Sequence, residues 1–301
     1  MLVFGSKAHF DIAFQAKVLL CTHDMDYMLP YKAAKGFFHY EDTFKVFLQH
    51  GVIGRKNVEY HKSDYEVPFD LFIVSSESEK QLVVVDKLGY AEEEVAVTGL
   101  ARFDNLLSAK KPETNDILLM PTWRDWTNTD QRFLESEYFR RYTDLINDER
   151  LMEMLEQYQV NLTFYPHYRA QKYFQQSLQR TNQRVQFIEQ GEKTVQELLI
   201  AHSLLITDYS SVSFDFMLMN KPVIYYHFDT DRFFKRGMLR PINDTFLGPI
   251  AHTQTELVQF IADNLQNQFA NNQVDTSPLF AYRDGRNCKR IYEAVTRRLQ
   301  A

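Results

Sequence analysis

Short apolar runs alternate with amphipathic stretches along the whole chain, and few folds accommodate that pattern. Runs of about four residues suit strands buried on both faces, and the stretches between them suit helices that cross back over a sheet. The alternation therefore predicts an α/β fold with parallel sheets. In the first part the candidate strands are Val18–Cys21, Val46–Gln49, Leu71–Val74 and Val95–Thr98, with Glu77–Leu88 as a helix whose charges point outward. The polar, proline-bearing stretch Lys110–Asp116 reads as a linker. Beyond it lie strands Ile117–Met120, Asn161–Tyr165, Val185–Ile188, Leu204–Thr207 and Val223–Tyr226. Helices are expected at about Arg132–Tyr158, Gln171–Arg180, Thr194–His202, Ser211–Met219, Thr255–Gln268 and Gly285–Leu299. The expected organisation is a domain over 1–110, a second over 115–285 and a closing helix over 285–301. Met1–Gln15 reads as a polar–aromatic helix where a doubly wound domain would open on a strand. The first domain is thus expected to be incomplete, its opening strands missing through truncation or in a short paralogue.

The composition removes several classes of function. With 301 residues, 45% hydrophobic and 14% aromatic, the chain can bury ample apolar surface, so disorder is excluded. Its two cysteines, Cys21 and Cys288, form no paired motif, which excludes a disulfide scaffold and Cys-x-x-Cys metal fingers. No apolar run approaches the ~18 residues of a spanning helix and no signal peptide opens the chain, so it reads as cytoplasmic. A net charge of −6 argues against a general nucleic-acid binder. Only 10 glycines are present, and neither G-x-G-x-x-G nor a Walker A pattern occurs.

The sharpest cluster follows the apolar run that ends at Thr207. A polar turn, Asp208-Tyr-Ser-Ser211, opens a helix there. Asp208 or Ser210 can cap that helix, and free N–H groups with the hydroxyls of Ser210 and Ser211 suit a diphosphate. An ordinary capped helix is the alternative. Asp215, a turn further on, could reach a ribose diol or be merely solvated. Thr122 and Arg124 also follow a strand end, where a hydroxyl and a guanidinium can hold phosphate oxygens; the alternative for Arg124 is a surface cation stacked on Trp123 or Trp126. The basic–aromatic tract Thr230–Met238 could close on a donor, touch an acceptor or be a solvated loop. Of two D-x-D strings, Asp24-Met-Asp26 reads as a loop and Asp229-Thr-Asp231 as a salt-bridged loop neutralised by Arg232, Lys235 and Arg236, rather than a metal site.

The string Thr207-D-Y-S-S-V-S-F-D-F, followed by N-K-P-V-I-Y-Tyr226, resembles the signature of the CDP-glycerol glycerophosphotransferase family, the teichoic-acid primases and polymerases with relatives in capsule synthesis. Leu48-Q-H-G-Val52, Thr98-G-L-A-R-F-D-Asn105, Pro121-T-W-Arg124, Tyr165-P-H-Tyr168 and Tyr282-R-D-G-R-N-C-K-R-I-Tyr292 are similar to further elements of that family, in the same order. The resemblance implies a GT-B-like architecture of two Rossmann-like domains facing a cleft. It also implies transfer of glycerol phosphate or ribitol phosphate from CDP-glycerol or CDP-ribitol to a hydroxyl of a lipid-linked polyol-phosphate or saccharide acceptor, with release of CMP. On this reading His50 is the base, His167 assists the diphosphate or the departing CMP, and Thr122, Arg124, Thr207, Asp208, Ser210, Ser211 and Asp215 hold the donor. Arg102 and Asp104 are expected to be structural. No cofactor is required, although a divalent cation stays open, and peripheral association with the inner membrane face is implied. Two alternatives stand beside it: a UDP-sugar epimerase or glycosyltransferase of the same fold, and a nucleotide-binding relative without catalysis.

Overall fold

The computed structural model describes residues 2–31, 40–57, 60–110, 114–177, 183–270 and 274–300. The chain divides into two compact units. Unit 1 comprises Met1–Leu107, Gly237–Pro241 and Ser277–Ala301, and unit 2 comprises Ser108–Arg236 and Ile242–Thr276. Parts of two expected features lie outside the described residues: 111–113 of the linker and 178–180 at the end of the Gln171–Arg180 helix.

Unit 1 holds a four-stranded parallel sheet in the order β1-β2-β3-β4. The strands are β1 (Val18–Cys21), β2 (Phe44–Phe47), β3 (Leu71–Val74) and β4 (Val95–Val97). Every residue of β3 is buried, as expected for a strand covered on both faces. Phe47 stacks on Phe69 with ring centroids 4.6 Å apart and meets Phe72 edge-on at 4.9 Å, which ties β2 to β3 through aromatic packing. After β3, the Ser76 hydroxyl accepts from the Glu79 N–H and starts a single α-helical turn, Glu77–Glu79. That turn continues as a π-helical segment, Lys80–Val85, rather than as regular α-helix. The expectation that this helix directs its charges outward fails at Glu79, which is completely buried. A carboxylate tolerates that position because donors surround it, as described below.

The Thr98–Asn105 element docks the end of the chain. Gly99 adopts φ +76°, and a Cβ there would lie 2.2 Å from Asn287 Oδ1, so only glycine fits. The two carboxylate oxygens of Asp104 accept from the N–H groups of Asn287 and Cys288, each at 2.8 Å, and so cap the helix Asn287–Gln300. The Ser75 hydroxyl reaches the Leu279 carbonyl at 2.8 Å. These bonds explain why residues 277–300 group with unit 1, although the sequence places them after unit 2. Asp104 is thus structural, as expected.

Unit 2 holds a six-stranded parallel sheet ordered β10-β9-β8-β5-β6-β7. Its strands are β5 (Ile117–Leu119), β6 (Leu162–Phe164), β7 (Val185–Phe187), β8 (Leu204–Thr207), β9 (Val223–Tyr226) and β10 (Ile250–Ala251). The single helix expected over Arg132–Tyr158 is three: Asp130–Leu134, Glu137–Ile146 and Glu149–Tyr158. Thr129, Ser136 and Asp148 each accept a backbone N–H as N-caps, and the caps at 136 and 148 interrupt the run. Phe133, Tyr142, Leu155 and Phe174 from the helices pack with Leu119, Phe164, Ile206 and Ile224 from the sheet in one core. The strand order reverses between β5 and β8: the chain runs outward through β6 and β7, then returns to the other side of β5. Loops leaving the carboxyl ends of β5 and β8 diverge at that point, where open α/β sheets form their binding crevice.

Candidate active site

One guanidinium organises the reversal point. Arg124, in the loop after β5, is fully buried. Its Nη1 donates to Asp208 Oδ2 at 2.8 Å and to the Thr122 carbonyl at 2.7 Å. Its Nε and Nη2 form a two-pronged pair with Asp229, at 2.7 and 3.0 Å. Asp208 follows β8 and Asp229 follows β9, so a single side chain ties three loops together. Asp208 also accepts from the Thr122 N–H at 2.9 Å, the Tyr209 N–H at 2.6 Å and the Tyr142 hydroxyl at 3.3 Å. The rings of Tyr138, Tyr209 and Phe233 lie 4.9–5.2 Å from the guanidinium carbon. Burial disfavours the charge, but the two carboxylates prevail and hold the Arg124 pKa well above its ordinary value.

This geometry corrects two expectations. Arg124 is neither a surface cation nor a side chain open to phosphate, because four of its five N–H groups are committed within the protein. Asp208 caps no helix, since its oxygens are taken by Arg124, Thr122, Tyr142 and Tyr209. Asp229 is salt-bridged as anticipated, but to Arg124 rather than to its basic neighbours. Phe233, from the basic–aromatic tract, stacks on Tyr209 at 4.2 Å, so that tract is packed and not merely solvated. Beside the cage a cavity of ≈ 670 Å³ is lined by Trp126, Arg132, Glu137, Asp229 and Arg232.

The remaining donor-side residues separate into two groups. Thr207 is buried and its hydroxyl donates to the Met120 carbonyl at 2.6 Å, which commits it to joining β5 to β8. Asp215 is also buried, at 5% exposure, so the solvated alternative fails and the ribose role gains no open surface. Ser210 and Ser211 are half-buried just ahead of the Val212–Leu218 helix. The Ser210 hydroxyl accepts from the Val212 N–H at 3.4 Å, and Ser211, the N-cap residue, makes no side-chain cap bond. The Thr122 hydroxyl is buried without a hydrogen-bond partner, which leaves a donor unused at the crevice.

The two histidines are held in opposite tautomers. His167, after β6, is half-buried, with its ring 5.7 Å from Trp123 and 4.4 Å from Tyr168. Its Nδ1 lies 3.4 Å from the Arg169 N–H, which can only donate, so Nδ1 accepts and Nε2 carries the proton. His50, after β2, places Nδ1 3.2 Å from the Thr22 carbonyl, which can only accept. Nδ1 therefore carries the proton and Nε2 presents a free lone pair. The His50 ring stacks on His23 at 4.4 Å and meets the edge of Tyr60 at 6.2 Å. Desolvation by its neighbours, then the positive charge of His23, lower the His50 pKa below 6.5, against the opposing pull of the Thr22 carbonyl. Desolvation and Arg169 lower that of His167.

Sequence comparison gives the family. A family model described as CDP-Glycerol:Poly(glycerophosphate) glycerophosphotransferase matches residues 2–297. The chain belongs to this family. It is 30% identical over 98% of its length to the minor teichoic acid biosynthesis protein GgaB of Bacillus subtilis (strain 168), of which it covers 34%. The chain thus spans about a third of that relative's length. Among solved structures, a variant of the wall teichoic acid polymerase TagF superposes with a TM-score of 0.70 at 18% identity, covering 98% of this chain and 77% of that one. TagF has also been solved after a soak with CDPG. A UDP-N-acetylglucosamine 2-epimerase from Listeria monocytogenes, itself described only as a candidate, superposes with a TM-score of 0.61 at 16% identity, covering 97% and 79%. These likenesses show a GT-B-like fold of two Rossmann-like units. Sequence reasoning missed Asp229 as the partner of Arg124, and the hydroxyls of Tyr142 and Tyr209 as donors to Asp208 and Asp229 respectively. No local signal marks them, because each bond spans many residues of sequence.

Proposed function

We propose that this chain transfers a glycerol phosphate or ribitol phosphate unit from a CDP-polyol to a hydroxyl of a teichoic-acid-type acceptor, releasing CMP. Membership of the glycerophosphotransferase family carries this reading, and the Nδ1–H tautomer of His50 supports its part as base. His50 Nε2 removes the proton from the acceptor hydroxyl, and the oxygen attacks the phosphorus that bears the polyol. The bond from that phosphorus to the bridging oxygen breaks, and CMP departs with the electron pair. His167 donates its Nε2 proton in a hydrogen bond to the diphosphate, where negative charge grows. Thr122, Ser210 and Ser211 supply further donors. Arg124 acts one step removed, by holding the loops of Thr122, Asp208 and Asp229 in register. A lipid-linked acceptor and peripheral association with a membrane belong to this proposal; among the described residues no helix is long and apolar enough to cross a membrane.

Thermal unfolding of the protein with CDP, CDP-glycerol, CDP-ribitol, UDP and UDP-sugars tests the donor class. A ligand at ~100 times its dissociation constant adds roughly 2.7 kcal/mol of stability. Stabilisation by cytidine diphosphates alone, together with CMP release on addition of acceptor, is the expected result. Preference for uridine nucleotides would move the protein to the epimerase or sugar-transferase class. Tight CDP binding without turnover would mark a non-catalytic relative.

A further inference from the structure

The turn that carries His50 is clamped by a carboxylate from another part of unit 1. Glu79 Oε1 accepts from the Ile53 N–H at 2.8 Å, and Oε2 accepts from the Ser75 N–H at 2.6 Å and shares the single Ser75 hydroxyl proton, at 2.8 Å, with the Leu279 carbonyl. The Gln49 side chain donates instead to the Ile73 carbonyl of β3. Gln49 is itself buried and adopts φ +60°, a left-handed conformation that costs a non-glycine residue free energy and persists only where the surroundings impose it. His50 therefore sits between Gln49, bonded to β3 at Ile73, and Ile53, bonded to Glu79. The carboxylate is reached directly from β3 through Ser75, so the turn after β2 is referenced to the neighbouring strand. A buried carboxylate is costly unless its oxygens are satisfied, and an apolar side chain would cover the same space more cheaply. What an apolar residue cannot do is fix the two backbone N–H groups, of Ile53 and Ser75.

We propose that Glu79 is a positioning residue for His50, setting the turn that aims Nδ1 at the Thr22 carbonyl and leaves Nε2 free. This deepens the transferase reading and rests on it for its kinetic consequence. The test is Glu79→Gln in the full chain. An amide directs an NH₂ group at one of the two sets of N–H donors, so at least one side of the clamp opens. Two readouts are taken: the His50 tautomer, from ¹⁵N chemical shifts of the imidazole, and kcat and KM for transfer from CDP-glycerol. The expected result is loss of the single Nδ1–H tautomer and a fall in kcat of about tenfold or more, with donor KM within about twofold. A folded variant with unchanged tautomer and kcat overturns the proposal, and so does a parallel collapse of kcat, donor KM and melting temperature. If Glu79→Gln does not fold, Ser75→Ala removes one donor only. It should give a smaller loss of tautomer purity and kcat, and no change in either overturns the proposal. A wild-type protein without transfer activity would count against the transferase reading instead, and the tautomer measurement would still decide the role of Glu79.

Discussion

A histidine can act as a base only if the nitrogen facing the substrate lacks a proton, and at the proposed base, His50, the Thr22 carbonyl keeps the proton on Nδ1. Replacing His50 by Ala should abolish transfer while leaving the affinity for CDP-glycerol nearly unchanged, as read by assay and calorimetry in parallel. Full activity would remove it as the base. As the proposed base His50 must be neutral, and burial lowers its pKa below the ordinary 6.5, so kcat/KM should rise with pH along an acid limb centred below 6.5. His23→Ala removes both a desolvating ring and a like charge, so that limb should move to higher pH. Arg124 makes a different prediction. Arg124→Ala leaves two carboxylates facing each other in a buried cage, a loss of ~3–5 kcal/mol by chemical denaturation, whereas Asp229→Asn should cost much less because the Arg124–Asp208 pair survives. The motif around Arg124 was legible in the sequence but its role was not: Asp229 lies 105 residues away, and only the fold reveals the pair.

Elements with strong local signals were readable. Strands β1, β3, β8 and β9 fall on the expected residues because each is an uninterrupted apolar run bounded by polar turns. The π-helical segment Lys80–Val85 and the two-residue β10 carry no periodic signature, and Glu79 could not be told from a solvated charge by spacing alone. The docking of the Asn287–Gln300 helix is a matter of elements too. Asp104→Ala deletes its N-terminal cap and should cost ~1 kcal/mol. Gly99→Ala should cost more, since the added methyl meets Asn287 and the positive φ is strained as well. A smaller thermal shift for Gly99→Ala than for Asp104→Ala would show that Asn287 yields easily and that the close approach is unimportant.

At the scale of the molecule, unit 1 is assembled from three separated segments and unit 2 from two. A chain shortened to end at 276 loses the helix that Gly99 and Asp104 receive, together with the Leu279 contact of Ser75. Its unit 1 should melt at lower temperature, while the nucleotide-stabilised transition of unit 2 persists; differential scanning calorimetry with and without CDP resolves the two. Joint loss of both transitions would mean that the units do not unfold separately.

The segment order also bears on how the protein is made. Domains usually fold in the order in which they leave the ribosome. Here every residue of unit 2 has been synthesised once Thr276 is added, whereas unit 1 still awaits the segment beyond it. Strands β1–β4 therefore emerge before any strand of unit 2, yet belong to the unit that is completed later. Between the synthesis of β4 and that of Asn287 the Gly99–Asp104 receptor is without its helix, a natural place for a chaperone to bind and for a slow ribosome to matter.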